Sequence, residues 1–356
     1  MSMRPYGLMA DLHLHNWSAF ATVEEDGVNS RLGMLLKDIC RCAEETRKAG
    51  GDTVVIAGDM FHVRGSIAPS VLNPVMDTLS SLMKGGIKFV ILAGNHDLEG
   101  KESNRLGSAI TALEGLGCKI VNTFDYGLRC MERIVLIPWT PKIADLKALI
   151  EKARDADPDP SDIDLILHAP IDGVIPGLPD HGLDAEWLGK QGFRSVYSGH
   201  YHHHKEFDHN VFSIGALAHH TWSDVGSKAG FLVVGSTGPK WFKSRAPEFV
   251  EIHGGTDPDE IPLLVDGNYV RAKINSTKTK DVEELRGYLE SCNAKGVVIL
   301  AQKEASAAPR EGGATIKAGA SLEVSVADFI KKQSYANADK LAILCQEILT
   351  DVRSAA

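Results

Sequence analysis

Gly58-Asp59-Met60-Phe61-His62 follows the run Thr53-Val54-Val55-Ile56-Ala57, and Gly94-Asn95-His96-Asp97 follows Lys88-Phe89-Val90-Ile91-Leu92-Ala93. In both places a short, β-rich apolar run stops at a glycine and gives way at once to side chains that bind metals. The runs read as buried strands. The glycines let the backbone turn sharply at each strand end. In an open α/β sheet, ligands collect outside the carboxyl ends of the strands, so motifs far apart in sequence can meet there. Three further stretches are of the same kind: Asp11-Leu12-His13-Leu14-His15, His168 in LILHAP, and Gly199-His200-Tyr201-His202. Residues two apart on a strand share a face, so alternation predicts that Asp11, His13 and His15 converge on one side.

Helical spacing recurs between the strands. Leu32, Leu35, Leu36, Ile39 and Ala43 mark one helix, stopped by Gly50-Gly51, and Val71 to Met83 marks a second. Ile163–Leu167 and Arg194–Tyr197 read as further strands, and Phe212 to Ile252 as short strands with glycine turns. Alternating β and α implies the α/β class, a sheet covered by helices. A chain of 356 residues exceeds one ordinary core, so two domains are expected. The division is expected in residues 253–267, HGGTDPDEIPLLVDG, rich in Gly, Pro and Asp. Beyond it come a strand (Tyr269–Ile274), a helix (Val282–Ser291), a strand (Gly296–Leu300), a loop over 304–320 and a helix-rich tail, Val326 to Arg353.

Composition is that of a soluble globular protein, 44% hydrophobic and 24% charged. No stretch reaches the length of a membrane span, and the N-terminus lacks the apolar core of a signal peptide. The six cysteines, at 40, 42, 118, 130, 292 and 345, form no CxxC pair, which fits a reducing cytoplasm. A net charge of −9 argues against indiscriminate coating of nucleic acid, though not against a local basic strip. More than half of the 14 histidines fall between His168 and His220, a clustering that suggests ligands.

Asp, Asn and His without Cys suit Mn²⁺, Fe²⁺ or Zn²⁺ and exclude an iron–sulfur cluster. The donors outnumber the needs of one ion. A carboxylate shared by two ions about 3.5–4 Å apart would use them all, as in two-metal phosphoester hydrolysis. The ordered set DxH, GDxxH, GNHD, H, GHxH resembles the calcineurin-like metallophosphoesterases. DLHLH alone also resembles the first motif of the polymerase-and-histidinol-phosphatase phosphoesterases and the HxH of amidohydrolases, but GDMFH and GNHD are foreign to both. Calcineurin-like protein phosphatases typically carry GDxVDRG and GNHE. GDMFH with GNHD resembles instead the SbcD-type nucleases of bacteria and phages. The likeness covers roughly residues 6–235, and the C-terminal third only in outline.

That resemblance implies a four-layer αββα sandwich (residues 1–253), a small α+β capping domain (268–322) and a helical tail (323–356). It implies that Asp11, His13, Asp59 and His202 hold one divalent ion and that Asp59, Asn95, His168 and His200 hold the other, with Asp59 as the bridge. Mn²⁺ is the expected metal, with Fe²⁺, Zn²⁺ and Mg²⁺ as alternatives. His96 would sit over the scissile phosphate and assist the leaving oxygen, and His62 would help place His96 or the phosphate. The implied activity is in-line hydrolysis of DNA phosphodiesters, as an exonuclease or endonuclease in DNA repair, recombination or replication. The implied partners are DNA and an SbcC-like ATPase, with a homodimer as a further assembly, in the cytoplasm (the host's, for a phage protein). Two rivals remain open: a calcineurin-like phosphatase or phosphodiesterase on a small phosphoester, and a non-catalytic DNA-binding scaffold. The second domain weighs against the first, and the filled ligand positions against the second.

Other residues invite a role. His15 departs from the SbcD-type pattern. With Trp17, His204, His220 and Trp222 it is a candidate substrate contact. Alternation directs His204 toward the site and His203 away, and His219 lies in the same loop region as His220. Asn95 could instead merely cap the helix that follows. In the tail, Leu341, Leu344, Ile348, Leu349 and Val352 recur at helical spacing. They either pack on their own domain or, as the resemblance implies, form a helix that docks on the coiled-coil base of the ATPase, with Leu341, Leu344 and Ile348 as contacts.

Overall fold

The computed structural model describes residues 4–100, 107–122, 129–131 and 133–301, together with 326, 330, 337, 340–346 and 348. Two compact units emerge, Met1–Gln302 and Lys303–Ala356.

The first unit holds two six-stranded sheets. One has the order β12-β11-β1-β2-β3-β4, from β1 (Tyr6–Met9), β2 (Thr53–Ala57), β3 (Lys88–Leu92), β4 (Lys119–Val121), β11 (Gly230–Gly235) and β12 (Gly238–Lys243). The other has the order β5-β6-β7-β8-β10-β9, from β5 (Arg129–Met131), β6 (Ile134–Ile137), β7 (Asp164–His168), β8 (Ser195–Gly199), β9 (Lys205–Phe207) and β10 (Val211–Ser213). Strands β1 to β4 pair in parallel, as do β6, β7 and β8, so each group delivers its carboxyl ends to one edge.

Strand periodicity explains the layering. Tyr6, Leu8, Val55, Ala57, Val90 and Leu92 face Ile134, Leu136, Ile166, Tyr197 and Phe212 in the core between the sheets. The alternate residues Met9, Val54, Ile56, Phe89 and Ile91 turn outward under α1 (Ser30–Lys48) and α2 (Pro69–Lys84). On the far side Val135, Ile137, Leu165, Leu167 and Val196 pack under α3 (Ile143–Asp155) and α4 (Ala185–Gly189). The result is helix, sheet, sheet, helix. Helix α1 starts where the Asn29 side chain accepts from the Arg31 and Leu32 amides and ends before Gly50, whose φ is 89°.

The third sheet is parallel, β13 (Phe249–Ile252), β14 (Tyr269–Ile274) and β15 (Gly296–Ala301), with α5 (Ile261–Val265) and α6 (Thr279–Ser291) completing a small core around Val265, Val270, Ala272 and Leu289. Its first strand lies upstream of residue 253. In the second unit residues 340–346 are helical, with Leu341, Leu344 and Ile348 exposed. The loop 304–320, Leu349 and Val352 lie outside the described residues. Among the described residues no helix is long and apolar enough to cross a membrane.

Candidate metal centre

Strand β1 ends at Met9, so Asp11 and His13 do not converge by strand alternation. The stretch is a loop pinned to its neighbour: the amides of Asp11, His13 and Leu14 donate to the carbonyls of Gly58 (3.1 Å), Asp59 (3.0 Å) and Met60 (2.9 Å). Asp11 (φ 50°), His13 (φ 43°), Asp59 (φ 52°) and His200 (φ 111°) all have positive φ. Four non-glycine residues in such conformations at one place mark a site where surrounding structure holds the backbone against its preference.

The glycines after β2 and β3 are dictated by space. A Cβ on Gly58 would lie 2.1 Å from His168 Nδ1, and one on Gly94 would lie 2.2 Å from Asp59 Oδ1. The loops after β2 and β3 therefore close onto each other, and onto His168 at the end of β7, only with glycine at these two positions.

Asp59 is buried at the centre. Its Oδ1 accepts from the His96 amide at 2.8 Å and lies 3.5 Å from His168 Nε2, while Oδ2 lies 3.7 Å from His13 Nε2. Asp11 accepts from the His200 amide through both oxygens, at 3.1 and 2.9 Å. Asn95 Oδ1 lies 3.2 Å from His168 Nε2 and 3.0 Å from His200 Nδ1. His202 Nε2 lies 3.2 Å from His13 Nε2. Donor atoms of Asp11, His13 and His202 form one tight group, those of Asp11, Asp59 and His168 a second, and those of His13, His62 and His96 a third. All seven residues expected as ligands thus lie in one cluster.

The donor chemistry fits divalent cations. His168 Nδ1 donates to the Ala57 carbonyl at 2.8 Å, so its Nε2 lone pair points at the Asn95 and Asp59 oxygens. Three acceptors facing one another need a proton or a metal ion between them. His202 repeats the pattern: Nδ1 donates to Asp224 Oδ1 at 2.7 Å, which turns the Nε2 lone pair toward His13.

Electrostatics agree. Burial pushes the Asp11 carboxyl up to about 7. Burial acts the same way on Asp59, but the opposing charge of His168 and its hydrogen bond hold Asp59 below the usual carboxylate range. Burial would depress His168, yet the Asp59 charge raises it to about 9. Burial, then neighbouring histidine charge, lowers His200 and His220 to about 3 and His13 well below its usual value, keeping these imidazoles neutral.

His96 Nδ1 lies 2.8 Å from the His62 carbonyl oxygen and donates to it, which leaves Nε2 as the nitrogen able to exchange a proton. The His62 ring stacks over His96, with centroids 5.6 Å apart, and its Nδ1 lies 3.4 Å from His13 Nδ1. Burial and nearby histidines lower His62 to about 4.

The other expected contacts separate. His15 joins none of the metal-type donor groups among the described residues. Its ring meets Trp17 (5.6 Å) and His62 (5.3 Å). Trp17 donates through Nε1 to the His13 carbonyl at 3.2 Å and stacks on His220. His220 is buried beneath the site and donates through Nε2 to the Asp11 carbonyl at 2.9 Å. His219 is buried too: Nε2 donates to the Ser227 carbonyl at 3.0 Å and Nδ1 accepts from the Phe249 amide. Trp222 packs against Phe20 and Phe249 with Arg271 over its ring. His204 turns away from the cluster, contrary to the alternation argument. It donates through Nδ1 to the Ile214 carbonyl at 3.1 Å and stacks on Trp241, because the chain after β8 bends instead of continuing as a strand.

Sequence reasoning gave no role to three residues. Asp224 orients His202, and its only local signal is the capping box it forms with Thr221. Asp97, fully buried, accepts from the Gly94 amide at 2.9 Å and the Phe61 amide at 3.1 Å and so ties the two glycine loops together. Trp139 stacks on His200 at 5.3 Å, with no motif to announce it.

Residues 5–204 match the profile of the calcineurin-like phosphoesterases. Over 229 residues the chain is 25% identical to exonuclease subunit 1 of Enterobacteria phage T4, an alignment covering 63% of each chain. Over 166 residues it is 28% identical to the DNA double-strand break repair protein Mre11 of Methanopyrus kandleri, covering 42% of this chain and 35% of that protein. The match therefore spans less than two-thirds of either relative. Among solved structures, the Pseudomonas putida nuclease MPE aligns with 66% of this chain and 87% of its own, at 16% identity and a TM-score of 0.31.

Proposed function

The chain belongs to the calcineurin-like phosphoesterase family, and from that premise we propose that it is a two-metal nuclease hydrolysing DNA phosphodiesters, the SbcD-like subunit of a nuclease–ATPase complex. The observation that carries the reading is the buried Asp59 carboxylate, one oxygen toward His168 and the other toward His13. That is the placement a bridging ligand needs. Asp11, His13 and His202 would complete the site of one ion, and Asn95, His168 and His200 that of the other. Two divalent ions, Mn²⁺ in the first instance, would supply the Lewis acidity that activates water and neutralises phosphate charge.

The remaining work falls to side chains. His96, fixed by its Nδ1 bond to the His62 carbonyl, would pass a proton to the leaving oxygen from Nε2 when both ring nitrogens are protonated. Asp224 and the Ala57 carbonyl fix the tautomers of His202 and His168. DNA as substrate is supported by the phage exonuclease subunit and the archaeal break-repair protein among the relatives. The small three-stranded sheet is assigned to capping of the nuclease domain, and the exposed Leu341, Leu344 and Ile348 to docking of the ATPase.

The test is Mn²⁺-dependent degradation of labelled linear duplex DNA, set against p-nitrophenyl phosphate and bis-p-nitrophenyl phosphate. Duplex and diester should be cleaved in preference to the monoester. Hydrolysis of the monoester alone would replace this reading with that of a small-phosphoester phosphatase.

A further inference from the structure

Beside the cluster lies a cleft of about 140 Å³, lined by Leu14, His15, Phe61, Ser66, Ile67 and Val71. It is built by the same two loops that carry the metal-type donors. Leu14 and Phe61 form a parallel bridge, and the His62 amide reaches the Leu14 carbonyl at 3.4 Å. His13 is thus followed by two residues that line the cleft, and Phe61 lies two residues after Asp59.

Resting on the nuclease reading, we infer that this cleft holds the base of the nucleotide attached to the scissile phosphate. Size and chemistry agree. A cavity of about 150 Å³ accepts one benzene ring, so this one suits a single pyrimidine. The floor is apolar, with Leu14 and Phe61 both buried. The His15 imidazole gives an aromatic face of the kind on which bases stack, and the Ser66 hydroxyl gives one hydrogen-bonding group for a base edge. A nucleobase has those properties, flat apolar faces and a polar rim. The loop forming the outer edge carries exposed Arg64, a cation suited to the next phosphate along the strand. Because the cleft adjoins both donor loops, base and phosphate of one nucleotide can be held together. Occupancy of the cleft then decides which phosphodiester is placed at the ions.

The test is calorimetric binding to the Mn²⁺-loaded full chain, with thymidine 5′-monophosphate and 2-deoxyribose 5-phosphate as probes. They share sugar and phosphate and differ in the base. The nucleotide should bind roughly ten-fold tighter, the worth of one base stack. Ala68, exposed at the cleft and at the start of α2, is replaced to fill it. In Ala68→Trp the preference should vanish, while manganese content and sugar-phosphate affinity stay unchanged. His15→Ala, which removes the stacking face without touching the helix start, should give the same loss. Equal affinities for the two probes in the unaltered protein would overturn the inference, as would a preference that survives in both variants. Failure of the nuclease reading shows separately, as absence of DNA cleavage, because base preference is read here by binding alone.

Discussion

Asp224→Asn isolates the part of the centre that no motif announces. Asp224 Oδ2 accepts from the amides of His220 (2.7 Å) and Thr221 (2.9 Å), and Oδ1 accepts from His202 Nδ1 (2.7 Å). Asparagine has one oxygen for these three donors. Held by the two backbone amides, it would turn its NH₂ toward His202 Nδ1. That nitrogen must then accept, and the ring proton moves to Nε2, the atom 3.2 Å from His13 Nε2 and needed for a metal. The loss of the Asp224 charge adds to this, since burial lowers the basicity of His202 and Asp224, with Asp11 and Asp59, raises it again. Removing the hydrogen-bond partner of a ligating histidine costs roughly 10–100-fold in metal affinity, which corresponds to about 1.4–2.7 kcal/mol. The loss should fall on one ion only, because the residues assigned to the second do not include His202. Calorimetric titration of the metal-stripped variant with Mn²⁺ should resolve one weakened and one unaltered site. Two sites of unaltered affinity would refute the role given to Asp224, and equal weakening of both would refute the division of ligands.

Three other outcomes follow from the same geometry. His96→Asn should keep both ions and lose roughly 10²–10⁴ in rate, and loss of a metal would show that His96 is a ligand. Gly94→Ala should destabilise the chain and strip the centre, because its Cβ would meet Asp59 Oδ1 at 2.2 Å and Asp59 N at 2.3 Å; thermal melts with metal analysis check this, and an unaltered melting temperature with two bound ions counts against it. Metal affinity should rise with pH. The Asp11 carboxyl, raised by burial to about 7, and the His168 imidazolium, raised by Asp59 to about 9, must both lose protons to ligate. Mn²⁺ uptake near neutrality should therefore release protons, measurable as a buffer-dependent calorimetric enthalpy, and a pH-independent affinity would contradict the charge assignments.

The sheets and the convergence of the metal-type side chains were legible because both rest on local pattern. Thr53–Ala57 and Lys88–Leu92 announce buried strands by composition, and the glycines after them mark the ends where ligands gather. The pairing of two sheets came from family resemblance, since alternation of β and α does not tell one sheet from two. The geometry of Asp11 and His13 was not legible. Their positive φ comes from hydrogen bonds to residues 58–60, a tertiary constraint that strand periodicity does not contain. His204 failed for the same reason, an extrapolated strand where the chain bends. Asp224 lies 22 residues from His202 with no spacing rule between them, and Trp139 carries no metal-binding chemistry of its own. His219 and His220 showed as a cluster, but their burial, and so their role as supports behind the centre, depends on Asp11 and Phe249 folding over them.

Dependence of DNA cleavage on two ions can be read as release of acid-soluble nucleotides from labelled linear duplex as Mn²⁺ is titrated into the metal-stripped chain, with bound metal counted at each step. Release should be negligible at one bound ion per chain and full at two. Full release at one ion, or none at two, would contradict it.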